Sequence, residues 1–198
     1  MKPTPLMSRL LFRPTLYWTL LKTRGLRVED HWTAIDDTLI LGALPTRREL
    51  SQFSDLQVGG VINMCAEWNG FASHYDNSGI KQLHLPTPDF TSPDIHAVRS
   101  GVDFISRFAA EGRRVYCHCK AGRGRSATVA LAWLIHSQRL TPAFSEQYLI
   151  ERRPQIDRKL ASRSVVRQFY TSALPTRQTC LLQAGLLDTS SATTQFHQ

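Results

Sequence analysis

The stretch from Arg114 to Ser137 does more than any other to limit the folds open to this 198-residue chain. Arg114-Val-Tyr-Cys-His118 reads as a short apolar strand. Residues 126–137 follow as a helix that is apolar nearly all round, carrying Val129, Leu131, Trp133, Leu134 and Ile135. A helix without a polar face has to be buried on every side, so it belongs at the centre of the molecule. The rest of the chain supplies its cover. Leu39–Ala43, Gly60–Met64 and Gln82–Leu85 read as further strands. Thr46-Arg-Arg-Glu49 is a capping box that opens a short helix. Ser92-Pro93 is expected to supply an N-cap and a first-turn proline for a helix carrying Ile95, Val98, Val102, Ile105 and Phe108 and ending at Gly112. Thr141-Pro142 opens another helix, and Leu160–Tyr170 forms the last. Strands alternating with helices predict one α/β domain over 29–175, a central mixed sheet flanked by helices.

Charge is distributed unevenly. Residues 1–28 contain six Lys/Arg and no acid, and Arg113, Arg114, Lys120, Arg123 and Arg125 form a second acid-free cluster. The net charge of +8 therefore sits in two places. Nucleic-acid binders spread basic residues along a face with interleaved aromatics, so nucleic acid is not expected as a partner. The N-terminal segment, two apolar stretches hinged at Pro14, reads either as an amphipathic cap on the domain or as a membrane-surface or mitochondrial targeting segment. No run approaches the roughly 20 apolar residues of a spanning helix. Four cysteines are too few for a disulfide scaffold. The Ser-, Thr- and Gln-rich tail, 176–198, is expected to be disordered.

Between strand and buried helix lies His118-Cys-Lys-Ala-Gly-Arg-Gly-Arg-Ser126. A strand, a glycine-bearing loop and a helix N-terminus make an anion site, because free backbone N–H groups and the helix dipole converge there. A cysteine opening such a loop is expected to be a thiolate at neutral pH. An arginine closing it can grip two phosphate oxygens and follow charge into a transition state. Cys117/Arg123 and Cys119/Arg125 share the same spacing. Cys117 lies inside the apolar strand, whereas Cys119 follows it and leaves Gly122 and Gly124 for the turn, so Cys119/Arg125 is the chosen pair. Cleaving a phosphate monoester also needs a proton for the departing oxygen. Asp89, in Thr87-Pro-Asp-Phe90 after a strand, is the candidate acid; Asp94 is explained by capping the next helix.

The loop resembles the signature of the cysteine-dependent dual-specificity phosphatases, within the protein tyrosine phosphatase superfamily. Leu41-Gly-Ala-Leu-Pro45, Gly60–Met64 and Leu11-Phe-Arg-Pro-Thr-Leu-Tyr17 narrow the resemblance to the mitochondrial phosphatidylglycerophosphate phosphatase branch. The resemblance implies that Cys119 attacks phosphorus and that Lys120, Ala121, Gly122, Arg123, Gly124 and Arg125 hold the phosphoryl group. It also implies that Asp89 protonates the leaving group and that Ser126 assists departure of the thiolate. His118 is expected to brace the loop. Where that branch carries an acidic run after strand 60–64, this chain has Cys65-Ala-Glu-Trp-Asn69, which leaves Glu67 in a supporting place.

The expected activity is a phosphomonoesterase with a phosphocysteine intermediate, working without metal or cofactor, as a monomer. Its expected substrate is phosphatidylglycerophosphate or a related phospholipid at an anionic membrane surface. That membrane would be mitochondrial in a eukaryote and the cytoplasmic face in a bacterium. The alternative is a dual-specificity protein phosphatase acting on phosphotyrosine and phosphoserine/threonine. A phosphate-binding pseudophosphatase is disfavoured by intact Cys119, Arg125, Ser126 and Asp89, and a rhodanese-like sulfurtransferase has no use for the acid loop. Cys117 reads as core, and Cys65 as a buried free thiol ahead of a redox partner for Cys119.

Overall fold

In the computed structural model, which describes residues 5–25 and 30–183, the sheet has five strands. They are β1 (Trp32–Ala34), β2 (Leu39–Gly42), β3 (Val58–Cys65), β4 (Lys81–Thr87) and β5 (Arg114–His118). Their order is β1-β2-β5-β3-β4, parallel except for the antiparallel edge pair β1/β2. The expected mixed sheet is therefore present, and β5 lies at its centre. β2 and β3 are buried along their whole lengths, as parallel strands covered on both faces must be.

The helices are α1 (Pro5–Leu20), which runs into a π turn at Leu21–Gly25, then α2 (Arg47–Leu50), α3 (Gln52–Asp55) and α4 (Ala72–Asn77). After them come α5 (Ile95–Ala110), α6 (Arg125–Ser137), α7 (Pro142–Arg152) and α8 (Ser164–Gln183). Alternating residues of the strands feed two cores. Leu39, Leu41, Ile62, Met64, Val115 and Cys117 join α5, α6, α7 and α8 in the larger. Ile40, Val61 and Tyr116 point the other way, to Leu50, Phe53 and Tyr75 of α2, α3 and α4. Residues 125–135 of α6 are all buried, which places the apolar helix at the centre as its composition requires.

Three expectations need correction. Helix α5 starts at Ile95, and its cap is Asp94, whose carboxylate accepts from the Ala97 N–H at 2.8 Å. Ser92 lies two residues too early, and a charged acceptor next to the first turn is the better cap. Pro14 does not break the N-terminal segment but sits inside α1. Proline removes a single backbone donor there, and contacts on both sides of it, Phe12 in the larger core and Leu16 packed against that core, hold the helix together. The last helix runs past Tyr170 and Pro175 to Gln183, so the stretch expected to be disordered is helical at its start. The remainder of that stretch lies outside the described residues.

Leu131 is fully buried on α6. Leu131→Ala is expected to lower unfolding stability by about 2–5 kcal/mol in a urea titration. A loss under about 1 kcal/mol would contradict central packing of this helix.

Candidate active site

Four parallel strands end on the same edge of the sheet, and each delivers a residue that lines one cavity or braces its lining, as open α/β sheets do at the carboxyl ends of their strands. β5 delivers Cys119 and the loop, β3 delivers Glu67, β4 delivers Asp89, and β2 delivers Leu44 behind the loop. The cavity is about 460 Å³ and is lined by Cys119, Arg125, Asp89 and Phe90, with Thr15 and Trp18 of α1 on its rim.

The loop owes its shape to its carbonyls, every one of which from Cys119 to Gly124 accepts a hydrogen bond from outside the loop's concave face. The His118 ring donates through Nδ1 to Cys119 O at 3.2 Å, and Leu44 N–H donates to Lys120 O at 3.2 Å. Arg153 donates from Nη2 to Ala121 O at 3.4 Å and from Nε to Gly122 O at 3.0 Å. Asp157 N–H reaches Arg123 O at 3.0 Å, while Thr128 N–H and Arg163 Nη1 reach Gly124 O at 2.9 and 3.2 Å. With its carbonyls tied outward, the planar peptide units turn their N–H groups toward the centre. Gly122 makes the turn possible: its φ is +68°, and a Cβ there would lie 2.5 Å from Gly42 O.

Cys119 sits at that centre, only 4% exposed. Burial opposes ionisation, but the Arg125 charge, the Ser126 hydroxyl and the N–H groups of Ser126 and Ala121 outweigh it, and the pKa falls to about 6. Ser126 Oγ donates to Cys119 Sγ at 3.3 Å. Cys65 and Cys117 are buried free thiols whose pKa burial raises, as expected of core residues. Burial lowers the His118 pKa to about 3, so the ring is neutral and braces the loop.

Arg125 is held from three sides. Nη1 donates to Glu67 Oε2 at 3.1 Å and to Thr87 O at 2.7 Å, and Nη2 donates to Asp89 Oδ1 at 2.9 Å. A guanidinium has five N–H donors, so the Nε–H and the second Nη2–H, which share one edge, remain for an anion. Glu67 also accepts from the Asp89 N–H at 2.7 Å through Oε1. One carboxylate thus fixes both the arginine and the acid loop. Lys120 lines the cavity with the rest of the loop, and its side chain has a further place. Its ammonium pairs with Asp89 and donates to Thr15 Oγ1 at 2.7 Å, so its side chain ties α1 to the acid loop.

Sequence reasoning missed Arg153, Arg163 and Asn63. Arg153 is 0% exposed and serves five acceptors, including Asp30 O, His31 O and Thr33 Oγ1. Asn63 Nδ2 donates to Trp68 O at 2.8 Å, and its Oδ1 accepts from Cys65 N–H at 2.9 Å, shaping the turn that presents Glu67. The second arginine of Glu151-Arg-Arg-Pro154 carries no signal of burial, and an asparagine in an apolar strand is only a faint hint.

Residues 39–172 match the family model described as dual specificity phosphatase, catalytic domain. The chain belongs to that family. It is 34% identical to phosphatidylglycerophosphate phosphatase PTPMT2 of Arabidopsis thaliana, over 82% of this chain and 72% of that protein. It is 35% identical to phosphatidylglycerophosphatase and protein-tyrosine phosphatase 1 of Homo sapiens, over 83% of this chain and 86% of that protein. Among solved structures it resembles PTPMT1 in complex with PI(5)P, with a TM-score of 0.69 and 30% identity, covering 75% of this chain and 99% of that one. The family is that of cysteine-dependent phosphatases, and the enzyme class expected from the loop is the one found.

With a thiol pKa near 6, the reactive anion is present above that pH and lost below it. The rate of inactivation by iodoacetate is expected to rise with pH through a midpoint near 6, followed by loss of activity. Ser126→Ala should move the midpoint up, because a donor to the anion is gone. A wild-type midpoint near the ordinary cysteine value of about 8.5 would contradict the arrangement described.

Proposed function

We propose that this phosphatase removes the terminal phosphate from phosphatidylglycerophosphate or a related phospholipid at a membrane surface, through a phosphocysteine intermediate. The observation that carries the chemistry is the convergence of the Cys119 thiolate, the inward N–H groups and the open edge of Arg125 on one point. Cys119 attacks phosphorus as the bond to the alcohol oxygen breaks, and Asp89 gives that oxygen its proton. Asp89 then takes a proton from the water that attacks phosphocysteine, and inorganic phosphate leaves. Ser126 donates to the sulfur as its anion is restored. Glu67 holds Arg125 in place for both steps.

The lipid assignment draws on the activities named for the two relatives and on the acid-free segment 1–28. In a eukaryotic cell the membrane would be mitochondrial, following the family branch. The human relative's name also carries protein-tyrosine phosphatase activity, so a phosphotyrosine substrate is the second reading.

Cys119→Ser is expected to bind substrate and release no phosphate, and Asp89→Ala to reduce kcat by about 10²–10⁴. Phosphate release from phosphatidylglycerophosphate in micelles, compared with a phosphotyrosine peptide, tests the substrate. Peptide turnover equal to or above lipid turnover would sink the lipid reading. An active Cys119→Ser enzyme would sink the mechanism.

A further inference from the structure

Helix α1 has two unlike faces. Phe12, Thr15, Leu16 and Thr19 recur at helical spacing on the inner one. Phe12 and Thr19 are buried, Leu16 packs against the larger core, and Thr15 accepts from Lys120. The outer face shows Tyr17 (70% exposed), Trp18 (56%) and Leu21 (46%), the last on the π turn, to solvent. Across the cavity mouth stands Phe90, 55% exposed. Among the described residues the other exposed large apolar side chain is Phe144 on α7, so exposed apolar surface is gathered at this mouth. Trp18 and Phe90 themselves line the cavity that holds Cys119.

Phe90 is held at a cost. Its φ is +62°, a left-handed conformation unfavourable for an aromatic residue, and its ring gains little from the core. The Lys120 ammonium lies 4.9 Å from the ring centroid, so the same lysine that pairs with Asp89 supports Phe90. Cations accompany the aromatics on the helix as well. Arg13 is exposed on α1, and Lys22 Nζ lies 5.5 Å over the Trp18 ring. Aromatic rings beside cations, with no carboxylate in residues 1–28, suit the headgroup level of an anionic bilayer. A second copy of the chain suits the surface poorly, because two such basic segments repel each other.

We infer that the outer face of α1, continued by Phe90 across the cavity mouth, is a docking surface for an anionic phospholipid bilayer. Docking there sets the Cys119 cavity at headgroup level, so a phosphorylated headgroup enters while its acyl chains stay in the membrane. The identity of that headgroup rests on the lipid reading above, whereas the surface rests on exposure and charge. The inner face packs on the domain, so the docking surface and the cavity are carried by one folded unit.

The test is cosedimentation of the full chain with phosphatidylcholine vesicles made with or without about one-third phosphatidylserine. The wild type should bind the anionic vesicles preferentially, and less as salt rises. Tyr17→Ser/Leu21→Ser removes apolar surface that does not line the cavity. It should weaken anionic-vesicle binding by about tenfold or more and leave hydrolysis of a water-soluble aryl phosphate unchanged. Arg13→Glu, also exposed, should weaken the same binding. Equal binding by wild type and both variants, or no preference for anionic vesicles, would overturn the inference. Self-association of the wild type that the double variant loses would overturn it too, in favour of a second copy. Docking as described by an enzyme that leaves phosphatidylglycerophosphate intact would support the surface and reject the substrate, so the two readings fail separately.

Discussion

The thiol of Cys119 has to carry negative charge where almost no water reaches it, and most of the surrounding structure can be traced to that demand. Burial alone drives thiols the other way, as it does for Cys117 on β5 itself and Cys65 on the neighbouring β3. What differs at Cys119 is the set of donors around it. Backbone N–H groups can all point at one centre only if their carbonyls are satisfied elsewhere. Arg153, Arg163, Leu44 and His118 supply those outward partners from separate parts of the chain. Arg153 is the clearest example: burial lowers its own pKa, and its guanidinium is satisfied by five acceptors on two segments, 30–33 and 121–122. The cost of burying one cation behind the loop is offset by a preformed anion site in front of it.

A second chain of dependence runs through Glu67 and Lys120. Glu67 binds the Arg125 side chain with one oxygen and the Asp89 backbone with the other, so the cradle and the acid loop share a brace. Lys120 binds the Asp89 carboxyl and Thr15, so the acid loop and α1 share another. The cavity is consequently bordered by a helix whose outer face is apolar and basic. Catalytic alignment and the surface that meets the outside are coupled through single side chains.

Much of this was legible in the residues. The strand ending at His118, the glycine-bearing loop and the all-apolar helix have one workable arrangement, and the structure has it. The capping box at Thr46–Glu49 and the cap at Thr141 are local hydrogen bonds, set by neighbours three residues apart, and both are present. Ser92, Pro93 and Asp94 all favour a helix start, and the structure begins α5 after Asp94, two residues beyond the cap that the sequence suggests. Pro14 suggests a hinge because proline's local effect is visible in sequence, whereas the tertiary contacts that carry α1 through it are not. Lys120 lines the cavity as a loop residue, but the direction of its side chain is not a local matter. A flexible four-carbon stem goes where its partners are, and its partners come from residues 15 and 89.

The sequence by itself determined the kind of chemistry. A cysteine after a strand, turning glycines and an arginine opening a buried helix are a local pattern, and local geometry suffices to make an anion site from it. Only the tertiary structure decided which residues make that site work. The Asn63–Glu67 turn, Asp89 and Cys119 lie far apart in the chain and meet because parallel strands β3, β4 and β5 end on one edge of the sheet, while Arg153 reaches the loop from the end of α7. The fate of the N-terminal segment was decided there as well. Its composition fits a cap and a membrane surface equally. The structure packs the inner face of α1 on the domain and leaves the outer face bare, because a helix presents different residues to its two sides.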